Sequence, residues 1–236
     1  MAEGSWAYTI GSRALQRVMP GVGVSRAQVP VYAAAWRREN ATALDGPGRL
    51  WVALGDSAAQ GIGASTKEGG WVGQLRGELV ARPTEPPWRL VNLSRSGART
   101  LDVLDEQLPA LHELTDVALV TCAVGGNDLL HRTPTALLVA QVSQLIEALP
   151  PGSVVATLSK GLGRRKPEAV NEVIRTRGPA RGLLVADVWA STGPPWRGKY
   201  ARDGLHPNEV GYAEWAGAFA EALGLRSGAS SGVRRG

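Results

Sequence analysis

The run Leu50-Trp51-Val52-Ala53-Leu54-Gly55-Asp56-Ser57 decides how this chain is read. It is a nearly continuous apolar stretch, which marks a strand buried on both faces. Four more short runs repeat the pattern: Arg89–Leu93, Val117–Val124, Ser153–Leu158 and Leu183–Val188. Segments of helical length lie between them at Trp71–Ala81, Thr100–Leu114, Pro134–Leu149 and, less regularly, Lys166–Arg177, with Glu209–Leu223 last. Strand and helix in alternation predict an α/β fold, a three-layer α/β/α sandwich built on a flavodoxin-like, five-stranded parallel sheet. Ligands of such sheets bind beyond the carboxyl ends of the strands, so the chemistry is to be sought in the loops there.

Working outward from this core, the 236 residues suit one large domain over residues 49–225. Residues 1–48 form a less regular amino-terminal arm, with helical patterns at Ser12–Val18 and Val31–Asn40 and glycines between them. The arm is expected to be helical and packed on the domain. Residues 226–236 are rich in Gly and Ser and are expected to be a disordered tail. The chain is 44% hydrophobic and 20% charged, values that exclude general disorder and fibrous classes. A net charge of +5 would suit nucleic acid, but the arginines are spread out rather than gathered on one helix, so no nucleic-acid partner is expected. No run of about 18 apolar residues is present for a membrane span, and no basic segment followed by an apolar stretch opens the chain. Cys122 is the single cysteine and sits in an apolar run, as a buried, inert thiol would. Together these features predict a soluble, cytoplasmic protein.

Four loops carry chemistry-bearing residues. Ser57 follows the first strand directly, where its hydroxyl would stand at the rim of the sheet, and Gly61 and Gly63 allow tight turns behind it. After the second strand come Asn92, Ser94, Ser96 and Gly97, the last able to present an unobstructed backbone N–H. The third strand runs into Gly125-Gly126-Asn127-Asp128; Asn127 offers a neutral amide donor and Asp128 can fix the loop by accepting backbone hydrogen bonds. The fourth segment is Asp203-Gly204-Leu205-His206-Pro207-Asn208. A histidine there can take a proton from a serine and return it to a leaving group, and an aspartate three residues earlier can orient its ring. Each motif alone is also an ordinary turn or helix cap. Of the other two histidines, His112 sits on a helix between Leu111 and Leu114, whereas His131 follows the Asn127 loop closely enough to face a substrate.

In this order the four segments resemble the GDSL-type esterase/lipase family, also called SGNH hydrolases, over Arg49 to about Leu225. The resemblance implies Ser57 as nucleophile, Asp203 and His206 as its catalytic partners, and an oxyanion hole formed by Ser57, Gly97 and Asn127. Leucine is expected after the serine and Ala58 stands there instead, a change that bears on packing rather than chemistry. The implied reaction is acyl transfer from a small-molecule ester, carried by side chains without metal or cofactor. Sugar O-acetyl esters and thioesters lie within the same resemblance. A non-catalytic small-ligand module is the reading from another class, with the full set of polar residues standing against it. Eight tryptophans are present, of which Trp51, Trp71 and Trp215 read as core, while Trp189 and Trp196 precede Asp203 and are candidates for the pocket wall. Nothing in the sequence sets the oligomeric state.

Overall fold

In the computed structural model, which describes residues 20–82, 86–160 and 167–226, the decisive run forms strand β1 (Arg49–Gly55) near the middle of the sheet. Helix α1 (Pro20–Asp45) precedes it. After β1 come α2 (Ser57–Gln60), a short 3-10 turn at Lys67–Gly69, α3 (Trp71–Val80) and β2 (Trp88–Asn92). Then follow α4 (Thr100–Asp102), a π-helical segment Val103–Gln107, α5 (Leu108–His112), β3 (Val117–Ala123), α6 (Gly126–Leu130), α7 (Thr135–Ala148) and β4 (Val154–Ala156). The chain finishes with α8 (Glu168–Ala180), β5 (Leu184–Ala186), α9 (Val188–Ser191) and α10 (Glu209–Ala222).

The five strands are all parallel and lie in the order β2-β1-β3-β4-β5, the predicted arrangement. Successive side chains on a strand point to opposite faces. Trp51 and Ala53 therefore pack with Tyr32 and Trp36 of α1, Trp71 and Leu75 of α3, and Tyr212 and Phe219 of α10. Leu50, Val52 and Leu54 pack instead against Leu108, Leu138, Leu145, Ile146 and Ile174 on the other side. The indole of Trp71 stacks on the Phe219 ring with centroids 4.1 Å apart, tying α3 to α10. Cys122 is fully buried on β3, and burial pushes its thiol up to about 12, so it carries no thiolate near neutral pH.

Three details differ from the sequence reading. The helical pattern expected over Val31–Asn40 is part of a 26-residue helix that runs through Gly21, Gly23 and Pro30; the pattern at Ser12–Val18 lies outside the described residues. Packing overrides weak propensity here, because α1 buries Tyr32 and Trp36 against the sheet. Strand β5 stops at Ala186 rather than Val188, since the Asp187 carboxylate accepts the Ala190 N–H and turns the chain into α9. Strand β4 is also shorter than predicted, ending at Ala156. The tail from Ser227 to Gly236 lies outside the described residues.

Candidate active site

The final residue of β1 is fixed from outside the sheet. The Gln107 side-chain amide bonds both backbone groups of Gly55, accepting its N–H and donating to its carbonyl at 2.8 Å each. The π-helical segment that ends at Gln107 carries the extra residue per turn characteristic of such bulges, which recur at functional sites. Beyond Gly55 the Asp56 carboxylate accepts the Ala58 N–H at 2.9 Å and starts α2. Ser57 is the first residue of that helix and lines a cleft at the carboxyl end of the sheet.

The loop before α10 brings its aspartate and histidine to the same point. His206 Nε2 lies 3.0 Å from Ser57 Oγ, and His206 Nδ1 lies 2.7 Å from Asp203 Oδ2. Asp203 Oδ1 accepts the backbone N–H groups of Leu205 at 2.9 Å and His206 at 3.0 Å. Ser25 Oγ of α1 donates to Asp203 Oδ2. Burial alone would push the Asp203 carboxyl up; hydrogen bonds from His206, Ser25 and Leu205 hold it well below the usual carboxylate range. An ionised carboxylate on one imidazole nitrogen leaves the other free to accept a proton from the serine. Gly63, at φ 101°, lets the two loops meet: a Cβ there would stand 2.4 Å from the Pro207 carbonyl oxygen and 2.6 Å from His206 Cβ.

Asn127, on α6, lines the cleft; its amide donates to the Ala98 carbonyl at 2.9 Å and approaches Asp56 Oδ2 at 3.4 Å. Gly97 occupies the turn that supplies that carbonyl. It adopts φ 84°, is exposed, and stands outside the cleft wall, so its glycine answers to backbone conformation rather than to crowding. Asp128 is buried and accepts the Thr100 N–H at 2.8 Å, joining the Asn127 loop to the start of α4. Burial pushes the Asp56 carboxyl up to about 6, against the lowering pull of the Ala58 N–H and the His206 ring.

The rest of the cleft is mostly apolar, with Val124, Leu130, Leu158 and Leu205 beside the small Ala58, Ala123 and Ala156. Trp196 lines it, 40% exposed and with its ring 6.3 Å from that of Tyr200. Trp215 packs against the core, as the sequence placed it, and its partly exposed side also lines the cleft. Trp189 does not line it: α9 turns this ring toward Lys160, whose Nζ lies 5.6 Å from the ring centre. His131 is exposed and also off the wall, because it ends α6 one residue past Leu130, a step of about 100° around a helix that turns it away. Lys199 and Glu214 line the cleft as an ion pair. Among the described residues no three His, Cys, Asp or Glu side chains gather as a metal site.

Sequence reasoning missed Ser25, Gln28 and Gln107. Gln28 accepts the Gly63 N–H at 2.9 Å and donates to the Ala64 carbonyl at 2.8 Å, bracing the turn that abuts His206. No short motif marks any of the three, since each acts across the fold; Tyr32 and Trp36, one helical turn apart, were the available sign that this stretch faces the core.

A parallel sandwich with a serine, histidine and aspartate in hydrogen-bonded sequence at its carboxyl edge has the architecture of a serine hydrolase. The sequence profile of the GDSL-like Lipase/Acylhydrolase family matches residues 53–214, about two thirds of the chain, and the protein belongs to that family. The protein named TesA is similar in structure, with 25% identity, a TM-score of 0.61, and 75% of this chain and 100% of that one covered. Axe2, an acetylxylan esterase from Geobacillus stearothermophilus, superposes with a TM-score of 0.61 at 21% identity, over 78% of this chain and 97% of that one. LAE5, an alpha/beta hydrolase enzyme from the metagenome of Lake Arreo, Spain, gives 0.59 at 23% identity, over 77% and 98%. No curated protein sequence matches this chain.

Proposed function

We propose that the protein is a serine esterase that hydrolyses a carboxylic ester of a small acyl or lipid-like substrate through an acyl-enzyme. The observation that carries this reading is the chain of contacts from Ser57 Oγ to His206 Nε2 at 3.0 Å and from His206 Nδ1 to Asp203 Oδ2 at 2.7 Å. His206 takes the hydroxyl proton as Ser57 attacks the carbonyl carbon, and the imidazolium is stabilised by Asp203. The developing oxyanion is met by the Ser57 N–H and the Asn127 side-chain amide, the third donor expected from the sequence being the Gly97 N–H. His206 then gives its proton to the departing alkoxide, and a water molecule repeats the sequence on the acyl carbon to release the acid. The apolar wall from Val124 to Leu205 suits an acyl group.

A second reading, a sugar O-acetyl esterase, is favoured by the half-open Trp196 and its neighbour Tyr200 at the cleft, since aromatic rings there can stack on a sugar. A thioester would use the same residues.

The test is a series of p-nitrophenyl esters of rising acyl length, beside acetylated xylo-oligosaccharide and an acyl thioester, run on the parent and on Ser57→Ala. The parent should turn over esters and be labelled by an organophosphonate. Ser57→Ala should lose both, with turnover reduced by about 10⁶, the scale of removing a nucleophile. Full activity in Ser57→Ala would refute the assignment, and faster deacetylation of the sugar would select the second reading.

A further inference from the structure

Resting on that reading of Ser57, His206 and Asp203, we propose that Ser25 of α1 is a positioning residue of the site, its hydroxyl locking the Asp203 carboxylate in the orientation that aims His206 at Ser57. A carboxylate offers about four lone-pair sites. In Asp203 four donors occupy them: the Leu205 and His206 N–H groups on Oδ1, and His206 Nδ1 with Ser25 Oγ on Oδ2. Three of the four come from Asp203's own loop, and Ser25, 178 residues away in sequence, is the one that comes from another element.

The helix that carries it is seated closely. At Gly21 a Cβ would lie 2.1 Å from the Arg202 carbonyl carbon, so α1 packs backbone to backbone on the residue before Asp203. One and two turns beyond Ser25, Gln28 and Tyr32 hold Gly63 and Ala64, the backbone against the other side of His206. Ser25 itself is 5% exposed and does not line the cleft. It can therefore act on the reaction only through Asp203. Without its hydroxyl, Oδ2 loses a donor in a site that water scarcely reaches, and the carboxylate is free to turn about its last bond. With one donor fewer, Oδ2 is also a stronger partner for the charged imidazole.

The test compares the parent, Ser25→Ala and Ser25→Thr, with Ser57→Ala as a control, on the best ester from the panel. Ser25→Ala should lose about 10- to 100-fold in kcat, the worth of one hydrogen bond to a charged group, with KM little changed. The acid limb of kcat/KM should move to higher pH, because the unshared Asp203 carboxylate favours protonated His206. Among the described residues, Asp56, just after β1, and Tyr212 of α10 also bear on this pair, and the substitution touches neither. Ser25→Thr, which keeps the hydroxyl, should restore both readings. A role in stability alone would lower the amount of folded protein and leave the acid limb in place. Should Ser25→Ala fold poorly, Ser25→Cys, with a weaker donor of similar size, should fall below both the parent and Ser25→Thr in kcat, and a folded Ser25→Cys that matches the parent in kcat and acid limb would overturn the inference. If Ser57→Ala is inactive while Ser25→Ala matches the parent in kcat and acid limb, the inference on Ser25 is overturned and the triad stands; if Ser57→Ala remains active, the triad itself falls.

Discussion

The loops that carry the proposed catalytic groups and the helix that packs behind them reach the site by different routes. Ser57, Asn127, Asp203 and His206 all lie within residues 53–214, the stretch that matches the family. Helix α1 lies before that stretch, yet it touches Asp203 through Ser25, Gly63 and Ala64 through Gln28, Ala64 through Tyr32, and Gln60 through the Trp36 indole N–H at 3.1 Å. Family likeness here covers the residues proposed to react, while helix α1, which contacts them, lies in a segment the likeness does not include.

Substitutions can separate the two contributions. Trp36→Ala should have the largest effect: this 3% exposed side chain packs in the layer beneath the sheet and against Lys67, whose Nζ lies 4.2 Å from its ring centre. Its removal should cost about 3–5 kcal/mol of stability, read as a lower urea midpoint, while the molecules that stay folded keep their kcat. Equal losses in both measurements would mean that the brace and the chemistry cannot be parted. Asn127→Ala should behave in the opposite way, with kcat reduced about 10²- to 10³-fold, or about 2.7–4 kcal/mol of barrier, and a midpoint close to the parent's. An undiminished kcat would remove Asn127 from the oxyanion site.

The smallest effect concerns pH. Asp56, raised by burial to about 6 from an ordinary 3.8, holds a proton in the folded chain where the unfolded chain has lost it. Stability should therefore decline as pH rises from about 4 to about 6, by about 3 kcal/mol from this group. Asp203 runs the other way: its carboxyl is held low, so its contribution is present above the ordinary carboxylate value and is lost as the pH falls below it. In Asp56→Asn the decline between pH 4 and 6 should flatten while the loss at lower pH remains; urea midpoints across that range decide it.

The sheet and its four loops were legible because a parallel strand buried on both faces leaves an unbroken apolar run, and the residue after it must stand at the sheet edge. Which way a residue near such an edge points was not legible. His131 sits four places after Asn127, but the turn of α6 gives the cleft to Leu130, and Trp189 is taken onto α9 by the Asp187 cap. Helix α1 was obscured for a different reason. Its glycines and Pro30 break the periodic pattern, and Ser25, Gln28 and Asn40, which look like solvent residues, turn inward to satisfy backbone and carboxylate groups of distant loops.

Asn40 has one more consequence. Strand β2 ends the sheet on one side, and an open strand edge is a template on which another chain can pair. The Asn40 amide closes that edge at Asn92, accepting its N–H and donating to its carbonyl at 2.8 Å each, and Arg89 ties the strand to the Ala43 carbonyl at 2.9 Å. The helix that bonds Asp203 at one end of its length thus shields the sheet from self-association at the other, so loss of α1 should show first as aggregation.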